Sequence, residues 1–380
     1  MQKKKILLVL FITISFFLKA QEKESFEVRL DSIGMKIDET LTNLNKEYLN
    51  KIYSKKSLCD RFLIESNNKK VKNFNKSFYE GFTASFDFGN IVLKEIEKDA
   101  SYDYLNIVKD KEGEYYLLFR LYGNGLNYHK HLIKEIDGEI RIVDTYVSLT
   151  GEYLSDTFGS IYKGVLYKGG FLKSLSKGSN NDSMHDLLKI QKIRNLRSEG
   201  KLQEAHDLYK TLSEEGKKKK IYQLSNLLIL ANLDEAKYAK AIETYEKQFP
   251  NDVSLYLVSI DGYILGKKYD EALKAVDNLD KAIGGDSFLN FIRGNIYFLK
   301  LEYKKSEDKF KEVLEEYPNF IDAYDSLLSI YIESNNVKKA IEVLDIMVND
   351  FELPKDILFN SIGENYPEFQ KNKEIIKWSK

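Results

Sequence analysis

The sequence predicts an α+β N-terminal part, made of helices and a four-stranded antiparallel meander, followed by an all-α array of paired helices. Three observations predict it. Between residues 102 and 148, four short segments alternate apolar and polar residues with a period of two, and turns containing Gly separate them. Beyond residue 186 the apolar spacing changes to three and four. In that second half, small, aromatic and helix-breaking residues also return every 34 residues.

The chain opens with a segment of a different kind. "MQKKK" is cationic, "ILLVLFITISFFL" is thirteen apolar or hydroxylated residues, and "KAQ" offers a small residue for cleavage after Ala20. This is the layout of a secretory signal peptide over residues 1–20. A membrane anchor is the competing reading, and the apolar run is short for a span. Cleavage removes Lys3, Lys4, Lys5 and Lys19 and no acid, so the mature net charge moves from −1 to −5. Beyond it no apolar segment approaches spanning length, so no membrane span is expected after cleavage. The 58 basic and 59 acidic residues leave no cationic excess, which argues against nucleic acid as a partner. Cys59 is the single cysteine, so an exported chain has no internal disulfide to form, and Cys59 reads as a small core residue.

The first domain is expected over residues 21–170. Phe26, Val28, Leu30, Ile33, Ile37, Leu41, Leu44 and Leu49 recur at helical spacing over 26–56. A second helical stretch runs over about 73–98, through Phe78, Phe82, Phe86 and Ile91. The strands are "YDYLNIVKD", "EYYLLFRLY", "YHKHLIKEI" and "EIRIVDTYVS", with hairpin turns "KEGE", "GNGLN" and "DGE". Such a sheet needs a helix over one face. Helix then resumes in "TGEYLSDTFGSIY", with Thr150 as the expected N-cap and Glu152 in the first turn. Over residues 26–165 this order looks like the cystatin-like cone of the nuclear transport factor two-like superfamily, on topology and pattern alone.

A polar linker, "KSLSKGSNNDS", is expected within 171–185, and its Ser174 to Lys177 spacing lacks the rest of any Ser-x-x-Lys signature. The array follows over 186–352. In a unit beginning at Ser287, Gly294, Tyr297, Tyr303, Ser306, Phe310 and Pro318 take the eighth, eleventh, seventeenth, twentieth, twenty-fourth and thirty-second positions. Small residues at the eighth and twentieth let two helices approach. Aromatics fill the space beside that contact, and proline stops the second helix. Units from Val253 and Ile321 repeat the pattern through Tyr263, Tyr269, Ala272 and Val276, and through Tyr331, Val337, Ala340 and Leu344. Two less regular units begin near Tyr222 and Asp186, the earlier one ending in the charged run "GKKKK". Residues 353–380 read as a helical cap.

This spacing resembles the tetratricopeptide repeat. The resemblance implies about five repeats stacked in a superhelix whose first helices line a concave groove. It places Leu257, Ile264, Leu265, Phe288, Phe291, Asn295, Phe298 and Leu299 on the wall. Only Asn295 matches the family's carboxylate clamp, so that ligand is not expected. An apolar wall suits an amphipathic helix or extended apolar peptide, or else packing against a neighbouring domain.

Chemistry in the first domain rests on His129, His131, Asp144 and Tyr146, a speculative pocket. His129 and His131 share one face of a strand; metal binding would need a third ligand, which Asp144 from the next strand could supply, and a His129–Asp144 proton-transfer pair would need hydrogen-bond reach. The bland alternative is a pair of surface or half-buried histidines flanking Lys130. No catalytic motif is complete, and no metal or cofactor is expected. The sequence therefore predicts an exported, non-enzymatic adaptor for a protein or peptide partner in the envelope, periplasm or surface, of a Gram-negative bacterium. The alternatives are a ligand-binding protein or enzyme with its pocket in the first domain, and a homo-oligomeric assembly role. Convergence of His129, His131 and Asp144 in a pocket would favour the second reading; a sheet face filled by helix aromatics would weaken it.

Overall fold

The computed structural model describes residues 25–123, 125–168 and 181–380. Residues 1–20, which the sequence reads as a signal peptide, and most of the expected polar linker lie outside them. The chain divides into two units. One runs up to Val147 and adds Glu152–Lys163; the other takes Ser148–Gly151 and Gly164–Lys380.

The first unit begins with α1 (Phe26–Thr42), α2 (Glu47–Ile52) and α3 (Lys55–Asp60). The single helix expected over 26–56 is thus broken, and Leu44 at the break adopts φ +55°. The second expected stretch is likewise two helices, α4 (Lys69–Ser85) and α5 (Phe88–Ile96). Asp87 explains that break. Its carboxylate accepts the Asn90 backbone N–H at 2.7 Å as an N-cap and is also reached by Lys46 and Asn50, at 2.9 and 2.8 Å. A continuous helix would forfeit that junction.

The strands β1 (Ser101–Lys109), β2 (Tyr115–Gly123), β3 (Gly125–Ile136) and β4 (Glu139–Val147) form the expected antiparallel meander. Asp137 and Gly138 turn the β3–β4 hairpin with φ of +52° and +79°, as a two-residue primed turn requires. A fifth strand, β5 (Glu152–Tyr153), pairs with β4, so the sheet is five-stranded. Glu152 is therefore in a strand, and α6 (Leu154–Lys168) begins after it. Asp144 meets its first turn, accepting the Ser155 N–H at 3.2 Å and the Ser155 hydroxyl at 2.6 Å.

Helices cover one sheet face. Gly34 of α1 sits so close to Tyr104 of β1 that a Cβ there would come within 2.3 Å of the ring. Asp31 and Asp38 fix the contact by accepting the Tyr104 hydroxyl and backbone N–H, each at 2.8 Å. An aromatic group of Phe62, Phe78, Phe82, Phe86, Phe158 and Tyr162 joins α4 to α6, with neighbouring ring centroids such as Phe82–Phe158 4.8 Å apart.

The second unit is helical. Its hairpins are α7 (Asn181–Ser198) with α8 (Leu202–Lys210), then, after the one-turn α9 (Glu214–Lys217), α10 (Lys220–Leu230) with α11 (Glu235–Gln248). There follow α12 (Val253–Leu265) with α13 (Tyr269–Ile283), α14 (Leu289–Leu299) with α15 (Tyr303–Glu316), and α16 (Ile321–Glu333) with α17 (Val337–Asn349). The second helices of the last four begin at 235, 269, 303 and 337, each 34 residues on. The turns of the last three repeat too, with Lys267, Leu301 and Asn335 all left-handed at φ of +54°, +61° and +51°. The chain closes with α18 (Lys355–Asn365), α19 (Pro367–Gln370) and α20 (Lys373–Trp378).

The repeat residues do what their types predict. A Cβ on Gly294 would lie 2.6 Å from the buried Phe310 ring, so only glycine allows this crossing. Ser306, at the other small position, donates its hydroxyl to the Gly294 carbonyl at 2.8 Å. Ionic staples join successive hairpins. Arg293 of α14 reaches Asp277 and Asp280 of α13 at 2.9 and 2.7 Å. Glu307 of α15 binds Lys339 of α17 at 2.7 Å and the Tyr331 hydroxyl of α16 at 2.8 Å. Among the described residues no helix is long and apolar enough to cross a membrane.

Candidate functional site

Strand alternation and register decide which polar side chains of the sheet meet. In β3, His129 and His131 point to one face, and His131 pairs across β4 with Thr145. Tyr102 of β1 and Tyr53, after α2, reach the same region. A continuous hydrogen-bonded line results. Asn127 lies 3.2 Å from His129 Nε2, and the Tyr102 hydroxyl lies 3.1 Å from His129 Nδ1 and 2.8 Å from His131 Nε2. His131 Nδ1 then lies 2.8 Å from the Thr145 hydroxyl, itself 2.9 Å from the Tyr53 hydroxyl. Each imidazole therefore has both ring nitrogens engaged.

Aromatic rings close the line off from water. Phe88 of α5 stands 5.8 Å from the His129 ring and 5.4 Å from that of His131, and Phe119 of β2 lies 5.3 Å from His131. His131 and Thr145 have no exposed surface, and His129 keeps 6 %. Burial pushes His129 down to about 4. It pushes His131 well below the ordinary histidine value, with the charge on His129 adding to the effect. Burial raises both Tyr53 and Tyr102 above the ordinary tyrosine value. At neutral pH the line is uncharged and satisfied, the arrangement that makes a buried polar cluster tolerable.

Asp144 does not join it. One residue before Thr145, it points to the other side of β4. There Arg61 Nε donates to it at 2.7 Å, beside the Ser155 contacts and the Thr145 backbone N–H at 2.8 Å. Burial raises its carboxyl, opposed by these hydrogen bonds and by Arg61. Asp144 is thus an anchor for α6. Tyr146 shares that side, half-buried, with the Tyr153 ring 5.2 Å away and the Lys130 ammonium over its own ring at 5.7 Å. Of the four expected residues the fold brings together His129 and His131 and holds Asp144 and Tyr146 apart from them. Among the described residues no group of three His, Cys, Asp or Glu has metal-site geometry. Tyr102, Tyr53 and Thr145 were absent from the expected set. Alternation from Asp144 to Thr145 was the one available signal for a partner on the histidine face.

The second unit sorts the expected groove residues by depth. Leu257, Phe288 and Phe291 are buried at 5 %, 3 % and 5 % exposure. Phe320, just before the next hairpin, packs on Phe288 and Phe291 with ring centroids 5.3 and 4.8 Å away. Ile264, Asn295 and Phe298 are half-buried. Leu265 and Leu299 are exposed at 65 % and 43 %, and they occupy equivalent positions at the ends of α12 and α14.

No family model matches this chain, and no curated protein matches it. Similar solved structures exist. A MamA structure from Desulfovibrio magneticus RS-1, beginning at residue 41 of that protein, is 18% identical, covers 42% of this chain and 91% of its own, and has a TM-score of 0.38. A MamA RS-1 double mutant gives the same identity, coverage of 42% and 90%, and the same TM-score. A further MamA crystal structure is 13% identical over 48% of this chain and 94% of its own, again with a TM-score of 0.38.

Proposed function

We infer that this protein is an exported, non-enzymatic adaptor that holds a protein partner on its helical repeats in the envelope of a Gram-negative bacterium. One observation carries the reading: Leu265 and Leu299 stand in water at equivalent positions of successive hairpins, flanked by half-buried Ile264 and Phe298. Large apolar side chains repeated along one row of an array suit an amphipathic helix or extended apolar peptide. In this reading the repeats, 186–352, with their 353–380 cap, stack as a superhelix. The helix-covered sheet of 21–170 is then a cystatin-like docking module. Export rests on the sequence of residues 1–20. The enzyme alternative draws no support from the first unit, where the histidines are enclosed by aromatic rings and already bonded.

The test is affinity capture from an envelope extract with residues 21–380, beside the same chain carrying Leu265→Asp and Leu299→Asp. Both side chains are exposed, so the variant keeps its fold by circular dichroism. A partner retained by the parent and lost by the variant supports the reading. A partner indifferent to both changes refutes it for this row.

A further inference from the structure

The run Gly216–Lys220 is the charged stretch that the repeat pattern leaves unexplained. Its four lysines part. Lys219 lies over the Tyr222 ring at 5.3 Å, and Lys220 pairs with Asp252. Lys217 and Lys218 face a cleft of about 440 Å3 inside the second unit. The facing wall is one stripe of α11, where Lys237, Lys240 and Thr244 follow at helical spacing. Two pairs of ammonium groups therefore come to one concavity from different elements. Between them, Tyr209 and Leu230 give an apolar floor, buried at 8 % and 2 % exposure. His206 Nδ1 donates to Asn226 Oδ1 at 3.3 Å beside it.

The charge balance favours an anion. Four lysines and one acid, Glu214, line the cleft. Lys217, Lys218 and Lys237 contact Glu214, Glu215 and Asp234 at 2.9, 3.0 and 2.6 Å, each three residues away and each pair with at least one well-exposed partner. Exposed pairs of that kind hold weakly and exchange readily for a better acceptor. Among the described residues no acid pairs with Lys240. The lining holds no arginine, so the cleft lacks the planar fork that grips a compact phosphate. Mobile ammonium groups spread over two walls suit carboxylates spaced along an extended chain, and the floor suits an apolar residue between them.

We propose that this cleft docks an acidic peptide segment of a protein partner, with apolar residues interspersed among its carboxylates. Leu265 and Leu299 do not line it. The proposal therefore stands or falls separately from the helix-face reading.

The test measures fluorescence anisotropy of a labelled Glu–Glu–Leu repeat peptide with the full chain. The comparisons are Lys217→Glu with Lys240→Glu, and Lys217→Gln with Lys240→Gln, each checked for helicity. Binding is expected to weaken by about tenfold or more in the Glu pair and less in the Gln pair, and to fall as salt rises. It is expected to be unchanged by Leu265→Asp with Leu299→Asp. No binding, or binding that ignores both lysine pairs, overturns the proposal. So does lysine-dependent binding of pyrophosphate that the peptide cannot displace, which would make this a small-anion site.

Discussion

Replacing Glu307 with Gln tests how far ion pairs between hairpins hold the repeats together. Glu307 is 6 % exposed, and its carboxylate lies 2.7 Å from Lys311, 2.7 Å from Lys339 and 2.8 Å from the Tyr331 hydroxyl. Burial by itself would raise this carboxyl, but these partners outweigh burial and hold it down to about 2 against an ordinary 4.5. The gap corresponds to roughly 3 kcal/mol. Lys311 and Lys339 are 52 % and 38 % exposed, so solvent screening reduces this to about 1–2 kcal/mol. Because the folded value is lowered, the contribution is present above pH 4.5 and fades as pH falls towards 2. Urea unfolding followed by circular dichroism, on parent and Glu307→Gln across pH 7 to 2.5, reads the difference. It should be largest at neutral pH and shrink below pH 4.5. A difference that is absent at pH 7, or constant across the window, would refute the reasoning.

Two further outcomes follow from the same physics. His129 is about 4 in the folded chain against an ordinary 6.5, so unfolded protein takes up protons first and the first unit loses stability as pH falls from 6.5 towards 4, by roughly 3 kcal/mol from this group. Loss of the near-ultraviolet signal should therefore begin below pH 6.5 and be blunted in His129→Gln. Gly294→Ala places a methyl group 2.6 Å from the Phe310 ring and should lower the unfolding free energy by about 1–3 kcal/mol in urea titrations.

The sequence by itself determined the elements whose rules are local. Gly294, Ser306 and Phe310 announce a helix crossing by size, and the 34-residue period follows from them. The strand alternation and Gly-bearing turns announce the meander and its order. The resemblance to the tetratricopeptide repeat also singled out Leu265 and Leu299, which are exposed. It did not mark the breaks at 43–46 and 86–87, where the apolar spacing runs on but Asp87 leaves the helix to cap the next and meet Lys46 and Asn50. Nor did the sequence show that Phe288 and Phe291 pack under Phe320, which stands just before the next hairpin.

What only the tertiary structure decided is which polar groups meet. His131 finds Tyr102 29 positions away and Thr145 14 away, and Tyr53 reaches Thr145 across 92. Asp144, chosen from the sequence as their partner, faces Arg61 and Ser155 instead. Periodicity fixes the face of each residue within its own strand. It says nothing of the register between strands or of the helix that descends on them, and a shift of one residue exchanges Asp144 for Thr145.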